Sequence, residues 1–220
     1  MAKIDDVKTK LWELIDKANE TTGNADADLT SAVNTLADRH ETLFCVLDGT
    51  VTEVNLPNIT NLRDYAFYSC SNLVNFNAPN LTTIGQNAFR LCSKLALTAL
   101  PESVTSIGVQ AFGGCSKLAL TALPDGITNI PSQCFNVCSN IKITKIPSGV
   151  LTIGTGAFSN CYGLTTITFK GTPTSIATDA FKGCSKITTI NVPWAEGAVA
   201  GEDVAWGATN ADINFNYTGG

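Results

Sequence analysis

Between Phe67 and Cys184 the chain repeats one pattern six times: a small residue, Phe, two variable residues, Cys, then an apolar stretch that usually ends in Pro. The copies close at Cys70, Cys92, Cys115, Cys138, Cys161 and Cys184, in steps of 22, 23, 23, 23 and 23 residues. So regular a period is the mark of a stacked repeat. A unit of this length cannot bury its own apolar side chains, so neighbouring units must close over one another. The expected place for function is then an extended surface, not an enclosed pocket.

The third copy, SVTSIGVQAFGGCSKLALTALP, shows how one unit folds. Phe112 and Cys115 lie three apart around Gly113 and Gly114, beside Ala111, which predicts one helical or 3₁₀ turn packed inward. A strand follows with Leu118, Leu120 and Leu123 apolar, and Pro124 ends it because proline cannot donate to a central ladder. Val104 and Ile107 line the return toward the next turn. The strands come in two forms. Leu73/Phe76/Ala78, Leu164/Ile167/Phe169 and Ile187/Ile190/Val192 lie three, six and eight residues after their Cys. Leu95/Leu97/Leu100, Leu118/Leu120/Leu123 and Ile141/Ile143/Ile146 lie three, five and eight after theirs. A one-residue slip turns a side chain to the other face, so the middle three units should orient one residue differently. Gly85, Gly108 and Gly154 follow the repeat isoleucine, yet Pro131 and Ala177 fill the same slot, so that position does not demand a positive φ.

These residues resemble the BspA-like leucine-rich repeats, whose units read roughly C-x-x-L-x-x-I-x-I-P, a linker, I-G, then A-F-x-x-C. The resemblance covers about residues 58–193, and the period lies in the leucine-rich-repeat range. Departures are Cys134 for the Ala before Phe and Tyr162 for the Ser after Cys161. The resemblance implies an α/β repeat solenoid, a stack of short strands and return turns. Members of this family serve as surface adhesins and as parts of phage virions. The closing INVPWAEGAVAGEDVAWGATNADINFNYTGG looks like the end of repeat proteins encoded in phage tail modules, and residues 7–40 are similar to the short helical N-termini of the same proteins.

Composition fits a compact core and narrows the partners. At 220 residues, 44% hydrophobic and 15% charged, the chain can bury a large core. A net charge of −5 with scattered Lys and Arg argues against nucleic acid. No apolar stretch approaches a membrane span and the first 30 residues lack the apolar block of an export signal, so the expectation is a protein made in the host cytoplasm and carried in a virion. Six of the eight cysteines are locked to the repeat and are predicted to pack inward as unbridged thiols. The reasoning is that return turns stacked at roughly 8–10 Å, as helices do, would exceed the roughly 7 Å limit between bridged Cα atoms.

Four regions follow. Residues 1–40 place Ile4, Val7, Leu11, Leu14, Ile15 and Ala18, then Leu29, Val33, Leu36 and Ala37, at helical spacing, which predicts a helical hairpin for attachment or oligomerisation. Val7, Leu11, Trp12 and Leu14 are its candidate docking residues toward other virion proteins or further copies of the chain. Residues 41–61 form an N-terminal cap, 62–193 the six repeats, and 194–220 a C-terminal cap closed by the strand around Ile213, Phe215 and Tyr217. Trp194 and Trp206 are expected to cover the last repeat, with a ligand-binding aromatic pair as the alternative.

No catalytic constellation is visible. His40 is the sole histidine, Cys134 and Cys138 fall short of the four ligands of a structural zinc site, and the glycines follow the repeat instead of a phosphate loop. No enzyme, metal or cofactor is expected. The repeat core consists of Phe67, Phe89, Phe112, Phe135, Phe158 and Phe181 with the six cysteines. What remains for function is the outward side of the strands, with Thr98, Thr121, Thr144, Thr166 and Thr189 as the candidate binding face for a host-surface protein or glycan. The functional expectation is a phage tail or surface-fibre protein. A bacterial surface adhesin and a purely structural capsid-decoration protein are the alternatives.

Overall fold

The computed structural model describes residues 51–219. The predicted hairpin of residues 1–40, with Val7, Leu11, Trp12 and Leu14, and residues 41–50 of the N-terminal cap lie outside them. The described turns of the solenoid build two columns of parallel strands. The first holds β1 (Glu53–Asn55), β3 (Asn75–Asn77), β7 (Lys145–Ile146), β9 (Thr166–Phe169), β11 (Thr189–Asn191) and β12 (Asp212–Asn214). The second holds β2 (Asn61–Leu62), β4 (Thr83–Ile84), β5 (Ser106–Ile107), β6 (Asn129–Ile130), β8 (Thr152–Ile153) and β10 (Ser175–Ile176). All pairings are parallel, and like positions face one another: Ile84 beside Leu62 and Ile107, Ile153 beside Ile130 and Ile176.

Both columns break where the sequence changes. In the second column Gly85, Gly108, Gly154 and Ala177 donate their N–H to the previous turn at Leu62, Ile84, Ile130 and Ile153, 2.7 to 2.9 Å away. Pro131 occupies this slot between β5 and β6 and has no N–H, so the column divides into two three-stranded sheets there. In the first column the break covers the middle units. Leu120 and Ile143 are buried at the five-residue offset, whereas Ile167 and Ile190 are buried at six. The middle units therefore place two consecutive residues outward, Thr121–Ala122 and Thr144–Lys145, which ends strict alternation and shortens the strand.

The return turn differs from the single helical turn the Phe–Cys spacing suggests. Alternate amides do two jobs. Those of Ala66, Tyr68 and Cys70 close i→i+3 turns on Arg63, Tyr65 and Phe67, while those of Tyr65, Phe67 and Ser69 donate to Gln86, Ala88 and Arg90 of the next unit. Two positions of the return turn take positive φ, filled by Tyr65, Asn87, Gln110, Gln133 and Gly156 in one row and by Ser69, Leu91, Gly114, Val137, Asn160 and Gly183 in the other. The result is a ribbon of linked β-turns hydrogen-bonded to its neighbours. Among the described residues the helical element is one short 3₁₀ segment, Glu202–Gly207, interrupted at Ala205 and Trp206, so the expected α/β solenoid is over these residues a β-solenoid, because the return segments are β-turns and not helices.

Inside, Phe67, Phe89, Phe112, Phe135, Phe158 and Phe181 form one continuous stack, with neighbouring ring centroids 5.3 to 5.5 Å apart and ring planes within 15° of parallel. Gly85 and Gly108 have negative φ, as the Pro131 substitution implied. They are glycine for another reason: a Cβ on either would sit 2.4 Å from backbone of the preceding turn. At the C-terminal end Trp194 and Trp206 are buried and meet Phe169 at 5.2 and 6.0 Å, which is the covering role. The carbonyl of Trp206 accepts the N–H of Phe181 at 2.9 Å, standing in for the alanine carbonyl of a further unit.

Candidate binding faces

The thiols decide whether the repeat carries chemistry or only packing. Cys92, Cys115, Cys134, Cys138, Cys161 and Cys184 are free and buried. Five of them donate Sγ–H to the Phe carbonyl of the preceding unit: Cys92 to Phe67, Cys115 to Phe89, Cys138 to Phe112, Cys161 to Phe135 and Cys184 to Phe158, at 2.9 to 3.0 Å. Burial pushes the Cys92 thiol up to about 12 and holds Cys115, Cys134 and Cys161 well above the ordinary range. Burial raises Cys138 likewise, so these five are neutral thiols at physiological pH, not nucleophiles, whereas a side-chain hydrogen bond with Cys161 lowers Cys184. Cys134 sits fully buried in the alanine position, a small core residue as expected.

Two parts of the cysteine expectation need correction. Cys70 is disulfide-bonded, so the first rung is not a free thiol. The distance argument also fails, because adjacent turns are joined by backbone hydrogen bonds near 2.8 Å and stack far closer than helices pack. The six free thiols stay unbridged, five of them with Sγ–H directed to a Phe carbonyl.

The five predicted threonines do not form one row. Thr98, Thr121 and Thr144 are exposed and lie six residues after their cysteines; the N–H of Thr121 donates to the carbonyl of Thr98 at 3.3 Å. Thr166 and Thr189 are half-buried and pair directly with one another, while the carbonyl of Thr144 binds the N–H of Thr168. The change of strand form between units separates the two groups. Beside them runs an amide and hydroxyl ladder in which Asn214 Nδ2 donates to Asn191 Oδ1 at 2.8 Å and Asn191 Nδ2 to Thr168 Oγ1 at 3.2 Å. At the other end Asn77 Nδ2 donates to Asn55 Oδ1 at 2.8 Å.

The second strand column presents a face that the motif reading passed over as linker. Its outward residues are Asn61, Thr83, Ser106, Asn129, Thr152 and Ser175, with Asn61, Thr83 and Ser106 in one register and Asn129, Thr152 and Ser175 in the next. Thr152 Oγ1 donates to Asn129 Oδ1. Every one of the six carries a hydroxyl or an amide and none carries charge. The residue before each is Thr in all units but one, where Leu151 stands exposed. The signal was available in the sequence as a Ser, Thr or Asn immediately before each repeat Leu or Ile.

Among the described residues no group of three or more His, Cys, Asp or Glu is placed to hold a metal, and no helix is long and apolar enough to cross a membrane. Glu202 is a structural carboxylate. It accepts from Trp194 Nε1 at 2.7 Å and from the N–H groups of Gly197 and Val199 at 2.6 and 3.0 Å, which fastens the C-terminal loop.

A parallel solenoid with a phenylalanine stack, a thiol–carbonyl ladder and polar outward columns defines a repeat protein that offers surfaces. The chain belongs to the BspA type leucine-rich-repeat family, whose profile matches residues 60–188 in six copies. No curated protein matches the chain. It is similar to the solved structure of a leucine-rich cell surface protein from Faecalibacterium prausnitzii A2-165, at 24% identity and a TM-score of 0.48, over 69% of this chain and 57% of that one. The leucine-rich-repeat protein of T. pallidum matches at 24% identity and a TM-score of 0.45, over 63% of this chain and 78% of that one. The pneumococcal vaccine antigen PcpA matches at 18% identity and a TM-score of 0.45, over 74% and 41%. The chain thus spans under two thirds of the F. prausnitzii protein.

Proposed function

We propose that the chain is a non-enzymatic display protein of a phage virion, in a tail or surface fibre, whose polar columns bind a protein or glycan on the host surface. The observation that carries this reading is the uncharged column Asn61, Thr83, Ser106, Asn129, Thr152 and Ser175, which repeats the same hydrogen-bonding groups along a rigid axis. Many weak, regularly placed bonds suit a repetitive surface better than a single small ligand. In this reading residues 1–40 attach the protein to other virion components.

The test compares two triple variants, Asn61→Lys/Ser106→Lys/Asn129→Lys and Thr98→Lys/Thr121→Lys/Thr144→Lys, all at exposed residues. Exposed substitutions of this kind cost within about 0.5 kcal/mol each, so folding should survive. Loss of host-cell adsorption by the first set, with normal incorporation into particles, supports the second column as the receptor face; loss by the other set moves binding to the first column. Adsorption unchanged in both would overturn the reading in favour of a capsid-decoration role.

The adhesin alternative has one observation of its own. The Cys70 disulfide fits a protein that matures in an oxidising compartment, such as the bacterial surface. Finding the chain in the cell-envelope fraction of uninfected bacteria, and not in purified particles, would favour it.

A further inference from the structure

Among the described residues nothing covers the C-terminal end of the first strand column. β12 pairs with β11 and, among the described residues, has no neighbour on its other side. Ile190 and Ile167, which share its register, are fully buried, yet Ile213 is only half-buried, with no further turn over it among the described residues. Beside it is an open hollow of about 700 Å³ whose lining includes Val204, Ile213 and Phe215 and also Glu196, Glu202 and Asp212. Val204 is 47% exposed. The two tryptophans close the phenylalanine stack but leave this side open.

The backbone shows what can be added. The N–H of Asp212 donates to Thr188 and the carbonyl of Asn214 accepts from Val192, so the peptide groups of these two residues face β11. In a parallel strand the residue between them turns the other way, and both the N–H and the C=O of Ile213 point outward. An antiparallel partner centred on the same residue would exchange both bonds, Ile213 with Ile213 of a second copy. That register also places Asp212 opposite Asn214 of the other copy. Asn214 Nδ2 has two hydrogens and commits one to Asn191, leaving one for the facing carboxylate. The competing arrangement adds β1 of a second copy in parallel, head to tail. It would set Glu53 beside Asp212, two carboxylates side by side, which opposes it.

We propose that two copies of this chain pair through β12 about a two-fold axis, centred on Ile213, joining their first strand columns end to end and closing the hollow. The pairing is isologous and self-limiting, as a two-fold contact must be. It is independent of which outward face binds a receptor.

The test uses the full chain and measures mass by sedimentation over a wide concentration range. The wild type should reach the mass of two copies and stop. Asn214→Asp replaces two attractive contacts with two like-charge contacts and should raise the dimer Kd by roughly an order of magnitude. Asp212→Asn/Asn214→Asp restores opposite partners and should recover the dimer, which separates the contact from any loss of folding. Ile213→Pro removes the outward N–H and should leave a folded monomer. A monomer throughout, open-ended growth beyond two copies, a dimer indifferent to Asn214→Asp and Ile213→Pro, or a folded double variant that fails to recover would each overturn the proposal.

Discussion

The thiol of Cys115 donates to the carbonyl of Phe89, 3.0 Å away and 26 residues earlier in the chain. Its partner is already held by the N–H of Cys92, so the carbonyl bridges two units. A serine here keeps a donor at nearly the same place. Cys115→Ser should therefore cost about 1 kcal/mol, near the net worth of one hydrogen bond. Urea unfolding measures it. A loss above about 3 kcal/mol would mean the hydroxyl is left without its partner.

Thiol titration tests the ladder as a whole. The sequence has eight cysteines, and the Cys70 disulfide consumes two of them, which leaves six. Native protein should react slowly or not at all, denatured protein should yield the six free thiols, and added reductant should raise the count to the full eight. A full count without reductant would show that Cys70 is unbridged.

Which parts of this arrangement could be read from the residues follows from what each depends on. The Phe and Cys rows recur at a fixed step, and a residue that every unit must bury repeats in sequence, so the core was legible. The slip between Leu120 and Ile167 was also legible, because inward position follows the apolar offset. The return turn was not. Its positive-φ positions carry Tyr65, Leu91 and Val137, residue types that avoid that conformation in isolation and are held there by hydrogen bonds to the next unit. The thiol spacing was misjudged for the same reason, since a turn bonded through its backbone to its neighbours stacks at strand distance. The second polar column was readable but looked like linker, because its strands are two residues long.

Alkaline pH should destabilise the fold. Cys92 has an ordinary value of 9.0 and is held at about 12 by burial, with Cys115, Cys134 and Cys161 raised as well, while Cys184, lowered by its hydrogen bond with Cys161, acts in the opposite sense and is outnumbered. Above about 9 the unfolded chain releases these protons while the folded chain keeps them, so the folded state binds more protons and its stability falls as pH rises. Below that value the contribution is complete. Melting temperature should decline between about pH 9 and pH 12. Substituting Cys115 and Cys134 by alanine should flatten that decline, although the variant begins from a lower stability. An unchanged slope would mean other groups dominate.

Gly108 gives a steric prediction. A Cβ at this residue would lie 2.4 Å from the amide nitrogen of Gln86 and 2.6 Å from the carbonyl carbon of Gly85, both rigid backbone of the preceding turn. Gly108→Ala should destabilise by about 1–3 kcal/mol, the usual cost of overpacking. Gly197→Ala is the contrast, with open space around the new carbon but a φ of 83°. Its cost should reflect only the conformation, roughly 1–2 kcal/mol. Equal exchange of the Gly108 amide in wild type and Gly108→Ala would show that the turns can separate without loss.

The C-terminal cap depends on Glu202, whose carboxylate gathers Trp194 Nε1 and the N–H groups of Gly197 and Val199 within 3.0 Å. A carboxylate that accepts three donors organises a loop that has little regular structure of its own. Glu202→Gln keeps one acceptor oxygen and places an NH₂ against N–H groups, so it should lose about 1.5–3 kcal/mol of local stability, the range for a hydrogen bond to a charged group. The solenoid should remain folded, because the phenylalanine stack does not pass through this loop. The cap reports on itself, since Trp206 Nε1 donates to the carbonyl of Ala200 at 2.7 Å and its ring is buried against Phe169. Loosening the loop should expose Trp194 and Trp206, shift tryptophan emission to the red and raise quenching by iodide, with far-ultraviolet dichroism nearly unchanged. Emission as blue and as protected as in the wild type would show that the tryptophans are held by the core alone and that Glu202 is dispensable to the cap.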